Sequence, residues 1–244
     1  MSRLRDQVRD RFADLAEQPL FHTLAQAGRA SRSLQILPHV TFWANVFQDV
    51  LVLNLQRIED PTLKKIAEDH YLEDAGHNLW LADDLRLVNG RLPDVVELFD
   101  ARTLRAREIA YAFMAEVYRA ASDWERVALP VVLEEGGHLF LPALIDHFER
   151  LGVGRHLHAL GRSHVVTEAA HDLHGEEVSA LFDSLDVPDE SRARATAMVE
   201  RAHATFTRFA ALLDEVIHES SSVEEERLQR RLQTLFDEAP HPTA

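Results

Sequence analysis

A carboxylate and a histidine three residues apart share one face of a helix, and helical bundles build metal sites from such pairs. The sequence holds six of them: Asp74/His77, Glu135/His138, Glu168/His171, Glu200/His203, Glu215/His218 and Glu238/His241. With 14 His, and about one residue in six acidic, chance alone supplies about two. Spacing nominates, and position on the helix must select. A ligand pair inside a bundle interrupts the apolar stripe of its helix, whereas a solvated pair lies beside that stripe.

Along residues 188–219 the stripe reads Ala195, Val199, Ala202, Phe206, Phe209, Leu213, Val216. Glu200, His203, Glu215 and His218 fall beside it and are expected at the surface; His241 lies in the tail. Residues 61–88 differ. Their stripe runs Leu63, Ile66, His70, Asp74, His77, Leu81, Leu85, with three ionisable groups where leucine is expected. Residues 156–185 repeat the anomaly, because His164, Glu168 and His171 continue the stripe of Leu157 and Leu160. At ~100° per residue those three fall within about 40° of one another. Burying such a triad uncompensated is costly, and a cation held between its members removes most of the cost.

A third contribution comes from VVLEEGGHLF at 131–140, where Glu134 follows Val127 and Val131 as the inward carboxylate. Glu135, one residue round the helix, is the alternative. Asp74, His77, Glu134, His164, Glu168 and His171 together make three carboxylates and three imidazoles. That set suits Fe(II), two ions per chain with Glu134 bridging, and dioxygen as co-substrate; manganese fits nearly as well. His70 is a further candidate, as a ligand, a donor to a ligand or a substrate contact. Any one of these histidines alone is more often a hydrogen-bonded core residue, so the reading rests on two helices showing the same interruption.

The elements that must position these residues follow from composition. A chain of 244 residues, 46% hydrophobic with 9 Gly and 9 Pro, reads as one helical domain with ample core. Helices are expected over 3–18, 21–30, 38–58, 61–88, 94–121, 122–151, 156–185 and 188–219, with kinks at Pro130 and Gly136–Gly137. Residues 40–55, apolar on nearly all sides, belong at the centre. The division is an N-terminal helix (1–20), a metal-binding helical domain (21–219) and a frayed tail (220–244). The net charge of −15 disfavours nucleic acid and anionic membrane as partners. No Cys means no disulfide, zinc ribbon, iron–sulfur cluster or thiol nucleophile. The charged opening MSRLRDQVRDRFADLAEQ lacks a signal-peptide core, and no run reaches the ~20 apolar residues of a membrane span. A cytoplasmic protein with a small-molecule substrate is expected, a homodimer being compatible with so much apolar helix.

HYLEDAGH at 70–77, VVLEE at 131–135 and HVVTEAAH at 164–171 stand in an order that resembles the haem-oxygenase-like di-iron oxidases. The resemblance covers residues 20–219, and the closing His-x-x-x-carboxylate-x-x-His is its most specific element. It implies a seven-helix haem-oxygenase-like bundle around a non-haem di-iron site. It also implies dioxygen activation for N-oxygenation, oxidative decarboxylation or carbon–carbon cleavage of amino-acid-like or fatty-acid-like substrates. Two positions depart from the pattern. Glu168 stands where the family usually has Asp, and His70 stands where some members carry Glu. The competing readings are a metal- or ligand-binding protein without turnover, and a haem-binding protein on the same fold. Two inward triads fit a single axial haem ligand poorly, and the thiaminase-like branch typically needs a Cys that this chain lacks.

Overall fold

The computed structural model describes residues 2–26, 28–168, 183–219 and 221–238. The protein is all-α: the described residues include ten helices of seven residues or more and no strand, against the seven helices expected. In chain order these are α1 (Ser2–Phe12), α2 (Pro19–Ala25), α3 (Leu37–Leu55), α4 (Pro61–Asp74) and α5 (His77–Asn89). They continue as α6 (Leu104–Arg119), α7 (Asp123–Arg150), α8 (Arg162–Glu168), α9 (Asp189–His218) and α10 (Ser222–Glu238).

Two helices form the axis of the bundle. α3 packs against α4, α5, α6 and α7, as its all-round apolar character requires. α7 packs in addition against α1, α2, α4 and α9, and every residue from Val127 to Gly137 is buried. Residues 30–55 and α7 are each long and apolar enough, by length and composition, to cross a membrane, where the sequence reading found no such run. The same property is what a central helix of a bundle needs when neighbours surround it.

Several expected elements differ from those observed, among them the helix expected from 156, which begins at Arg162 after a 3₁₀ turn at Gly154–His156. The helix expected over 61–88 is two helices, separated at Ala75–Gly76 by a left-handed Gly76 with φ 94°. The helix expected from Asp94 to 121 starts instead at Leu104. Asp94 closes a capping box on a single turn (Val95–Leu98), and Asp100 then caps a second short turn at Ala101–Thr103. Competing polar caps break the run before it can propagate. The tail is not frayed where described: α10 is amphipathic and buries Leu228 and Leu232, and its Glu225 is held by Arg29 and Arg32. His203 is also not at the surface. It is 8% exposed, packs on the Phe12 ring and contacts Asp14 at 2.6 Å, because α1 and the turn after it cover that face of α9.

α7 is one helix through Pro130 and Gly136–Gly137, and the two glycines allow close approach of other elements. A Cβ on Gly136 would lie 2.2 Å from the Phe206 ring, and one on Gly137 would lie 3.1 Å from Trp43. Phe206 is fully buried among other rings and has nowhere to move. Gly136→Ala is therefore expected to cost about 1–3 kcal/mol by overpacking, measured by denaturant unfolding. Gly137→Ala, facing the edge of a half-buried ring, should cost less.

Candidate metal centre

The site grows from the break between α4 and α5. His70 lies one turn before the end of α4, Asp74 is its last residue and His77 is the first of α5. Asp74 and His77 keep their three-residue spacing but do not share one continuous helix, which corrects the sequence reading. The bend turns the two imidazoles onto opposite oxygens of one carboxylate. Asp74 Oδ2 lies 3.1 Å from His70 Nε2, and Oδ1 lies 3.4 Å from His77 Nδ1. Gln48, on α3, holds the break: its Nε2 donates to the Asp74 carbonyl at 2.9 Å, and its Oε1 accepts from Gly76 N at 3.4 Å. Backbone groups freed by the broken helix are thereby satisfied.

Glu134 comes from α7 on the far side, with Oε2 4.0 Å from His70 Nε2. One donor atom from each of His70, Asp74 and Glu134 falls within 4.8 Å of the others. His70 is 3% exposed, and its contact with Asp74 is short without the angles of a good hydrogen bond. Burial alone would lower the His70 pKa; the Asp74 contact and the charges of Glu134 and Asp74 outweigh it, so the imidazole is raised above its ordinary value. A group read from sequence as a supplementary candidate thus stands inside the cluster.

α8 brings the second imidazole pair together. The His164 ring meets the His77 ring edge-on, with centroids 4.9 Å apart. His164 Nδ1 lies 2.7 Å from the Ala159 carbonyl, which fixes the proton on Nδ1 and the lone pair on Nε2, the form that a metal takes. Trp80 stacks on His77 at 4.3 Å and on His158 at 4.4 Å, walling this corner. Glu168 ends α8, but its side chain and the whole of His171 lie outside the described residues. A cavity of about 90 Å³ opens between the groups, touched by Asp74, His77, Glu134 and His164 and walled by Trp43 and Phe47.

Glu134 and Glu135 are equally buried, each 8% exposed, but of the two only Glu134 borders the cavity and joins His70 and Asp74. Their equal burial comes from α1. It covers the Glu135 side and inserts Arg5, itself 8% exposed, with Nη2 3.6 Å from Glu134 and Nε 3.5 Å from Glu135. Exposed Arg9 and His138 approach Glu135 at 3.8 and 4.0 Å. Glu135 therefore faces arginines, while Glu134 faces both an arginine and the His70–Asp74 pair.

Sequence reasoning missed three positioning residues. Arg5 and Gln48 sit on other elements, and nothing in their local sequence announces the contact. Asp84 did leave a signal, as one of two carboxylates between Leu81 and Leu85. It is 1% exposed, and its oxygens accept backbone N–H groups of His158 and Leu160, pinning the loop that delivers His164. No family model matches the sequence, and no curated protein matches it significantly.

Arg5→Ala would leave two adjacent buried carboxylates without their shared cation. Its expected cost is about 3 kcal/mol in chemical unfolding of the metal-free protein. Arg9→Ala, which removes an arginine that is 67% exposed, should cost under about 1 kcal/mol. Equal effects of the two substitutions would contradict this account of the buried charge.

Proposed function

We propose that the protein is a non-haem iron oxidase or oxygenase, with a di-iron centre held between α4, α5, α7 and α8. One observation carries the reading: His70, Asp74 and Glu134 converge on one point in the core, beside a His77–His164 pair. The donor set fits the metal. Imidazole and carboxylate suit ferrous iron or manganese, and the chain offers no thiolate that would favour zinc or a cluster. Buried acids and an imidazole clustered this tightly also gain from a cation that neutralises them.

His70, Asp74 and Glu134 would hold one ion, and His77 and His164 would contribute to a second, with Glu168 and His171 expected to complete it. Iron bound there supplies the electron transfer that dioxygen activation needs. The chain's own part is geometric and dielectric. The Ala159 carbonyl holds His164 in its ligating tautomer, Gln48 fixes the turn between Asp74 and His77, Trp80 stacks on His77, and Trp43 and Phe47 keep the cavity apolar. Such a cavity favours an apolar or amphipathic substrate segment and limits water at the reacting groups. Amino-acid-like and fatty-acid-like molecules are the substrate classes to test. We read the bundle as the haem-oxygenase-like arrangement, a reading supported by its all-α content and its central α3–α7 pair.

The test is anaerobic titration of metal-free protein with ferrous iron, followed by oxygen. The wild type should retain two ions per chain, Glu134→Ala should retain fewer, and Glu135→Gln should resemble the wild type. Oxygen uptake by the iron-loaded protein should rise when a candidate substrate is added. Failure to retain iron would overturn the metal centre. Iron retention without substrate-stimulated uptake across both substrate classes would leave a metal-binding protein and overturn the oxygenase reading.

A further inference from the structure

α1 carries a cation to the edge of the metal cluster. The helix is 11 residues long, short of the length at which an isolated helix is stable in water. It docks on α7 and α9, and its Leu4, Val8 and Phe12 are each no more than 6% exposed. Arg5, three residues before Val8, shares that face and is taken out of water with it. Arginine keeps its charge inside a protein, so its burial cannot be relieved by losing a proton.

Where that charge stands matters for the cluster beside it. Arg5 Nη2 and His70 Nε2 approach the same oxygen, Glu134 Oε2, at 3.6 and 4.0 Å. The guanidinium therefore stands against the carboxylate that closes the group of His70, Asp74 and Glu134. Neither Nη2 nor Nε of Arg5 has a hydrogen-bond partner among the described residues, so charge and packing hold the side chain there. Glu135 Oε1 lies 3.5 Å from Arg5 Nε. That second acid leaves the guanidinium a partner when Glu134 turns to another cation.

We propose that Arg5 is a resident counter-cation that competes with metal for Glu134, so that docking of α1 and loading of the centre oppose one another. The inference rests on the metal-centre reading and adds its regulation. Two cations drawn to one buried carboxylate repel each other, and the repulsion is much stronger in a packed interior than in water. Linkage makes the opposition reciprocal: as Arg5 weakens metal binding, bound metal weakens the docking of α1 by the same factor. A residue that merely braced Glu134 for the metal would act with the opposite sign, because its loss would weaken binding.

Anaerobic equilibrium dialysis of the full chain against ferrous iron tests the proposal, comparing the wild type with Arg5→Gln, Arg5→Lys and Arg9→Gln. Arg5→Gln should bind its first iron about tenfold more tightly than the wild type, or better. Arg5→Lys keeps the charge, and Arg9→Gln alters an arginine that is 67% exposed; both should stay within about threefold of the wild type. Chemical unfolding with and without iron gives a readout that survives a poorly folded variant. The stabilisation gained on loading should be larger for Arg5→Gln than for the wild type, and iron should fold any fraction left unfolded without it. Equal or weaker binding by Arg5→Gln, beside a wild type that binds, would overturn the competition and leave the metal centre standing. The same holds if Arg5→Lys tightens binding as much as Arg5→Gln does, or if Arg5→Gln stays unfolded with iron present. Iron retained by neither protein would overturn both the competition and the metal centre.

Discussion

Ionised groups buried in the core must find charge of the opposite sign, and this constraint shapes the protein around α7. Asp74, Glu134 and Glu135 are each no more than 8% exposed. In water a carboxylate is well solvated; in a packed interior it needs cations and donors. The chain supplies them from three directions: Arg5 from α1, His70 from α4 and His77 from the start of α5. These three side chains meet carboxylate oxygens at 3.1 to 3.6 Å. A cluster of that kind brings acids and bases of the core close together. A metal ion, which accepts several donors at once, completes it more fully than any arrangement of these side chains alone.

The surrounding fold makes sense as the means of holding that cluster. α3 and α7 provide the apolar wall, and the near-continuous burial of α7 from Val127 to Gly137 fixes the axis on which Glu134 is mounted. The α4–α5 break is a cost in helix continuity that gains two directions of approach to one carboxylate. Gln48 satisfies the opened backbone, and a left-handed glycine removes the strain that a side chain would add there. Asp84 does the corresponding service for the loop before α8. Positioning groups at the cavity wall and behind it thus account for several polar residues in an otherwise apolar core.

Much of this was legible in the sequence, for a physical reason. Helical periodicity is local, so all-α character, the central place of 40–55 and the interruption of an apolar stripe by His70, Asp74 and His77 could be read directly. What could not be read was mostly non-local. That Glu135 is buried as deeply as Glu134 depends on α1, about 130 residues away in sequence, whose Arg5 reaches both carboxylates. The burial of His203 has the same origin. The break at Gly76 carried a signal, since AGH at 75–77 puts glycine in mid-stripe, but a lone glycine is tolerated in helices too often to decide. The Asp100 cap and the α10 helix were likewise lost to stronger neighbouring patterns.

The central claim is that the His70–Asp74–Glu134 cluster and the adjoining His77–His164 pair bind metal. An anomalous difference map recorded at the iron edge, from crystals loaded anaerobically with ferrous iron, tests it most directly. The account predicts peaks within bonding distance of Asp74 and Glu134, with imidazole nitrogens of His70, His77 and His164 among the ligands. Peaks confined to surface carboxylates, or a cluster that keeps its metal-free contacts in the presence of bound iron elsewhere, would contradict it.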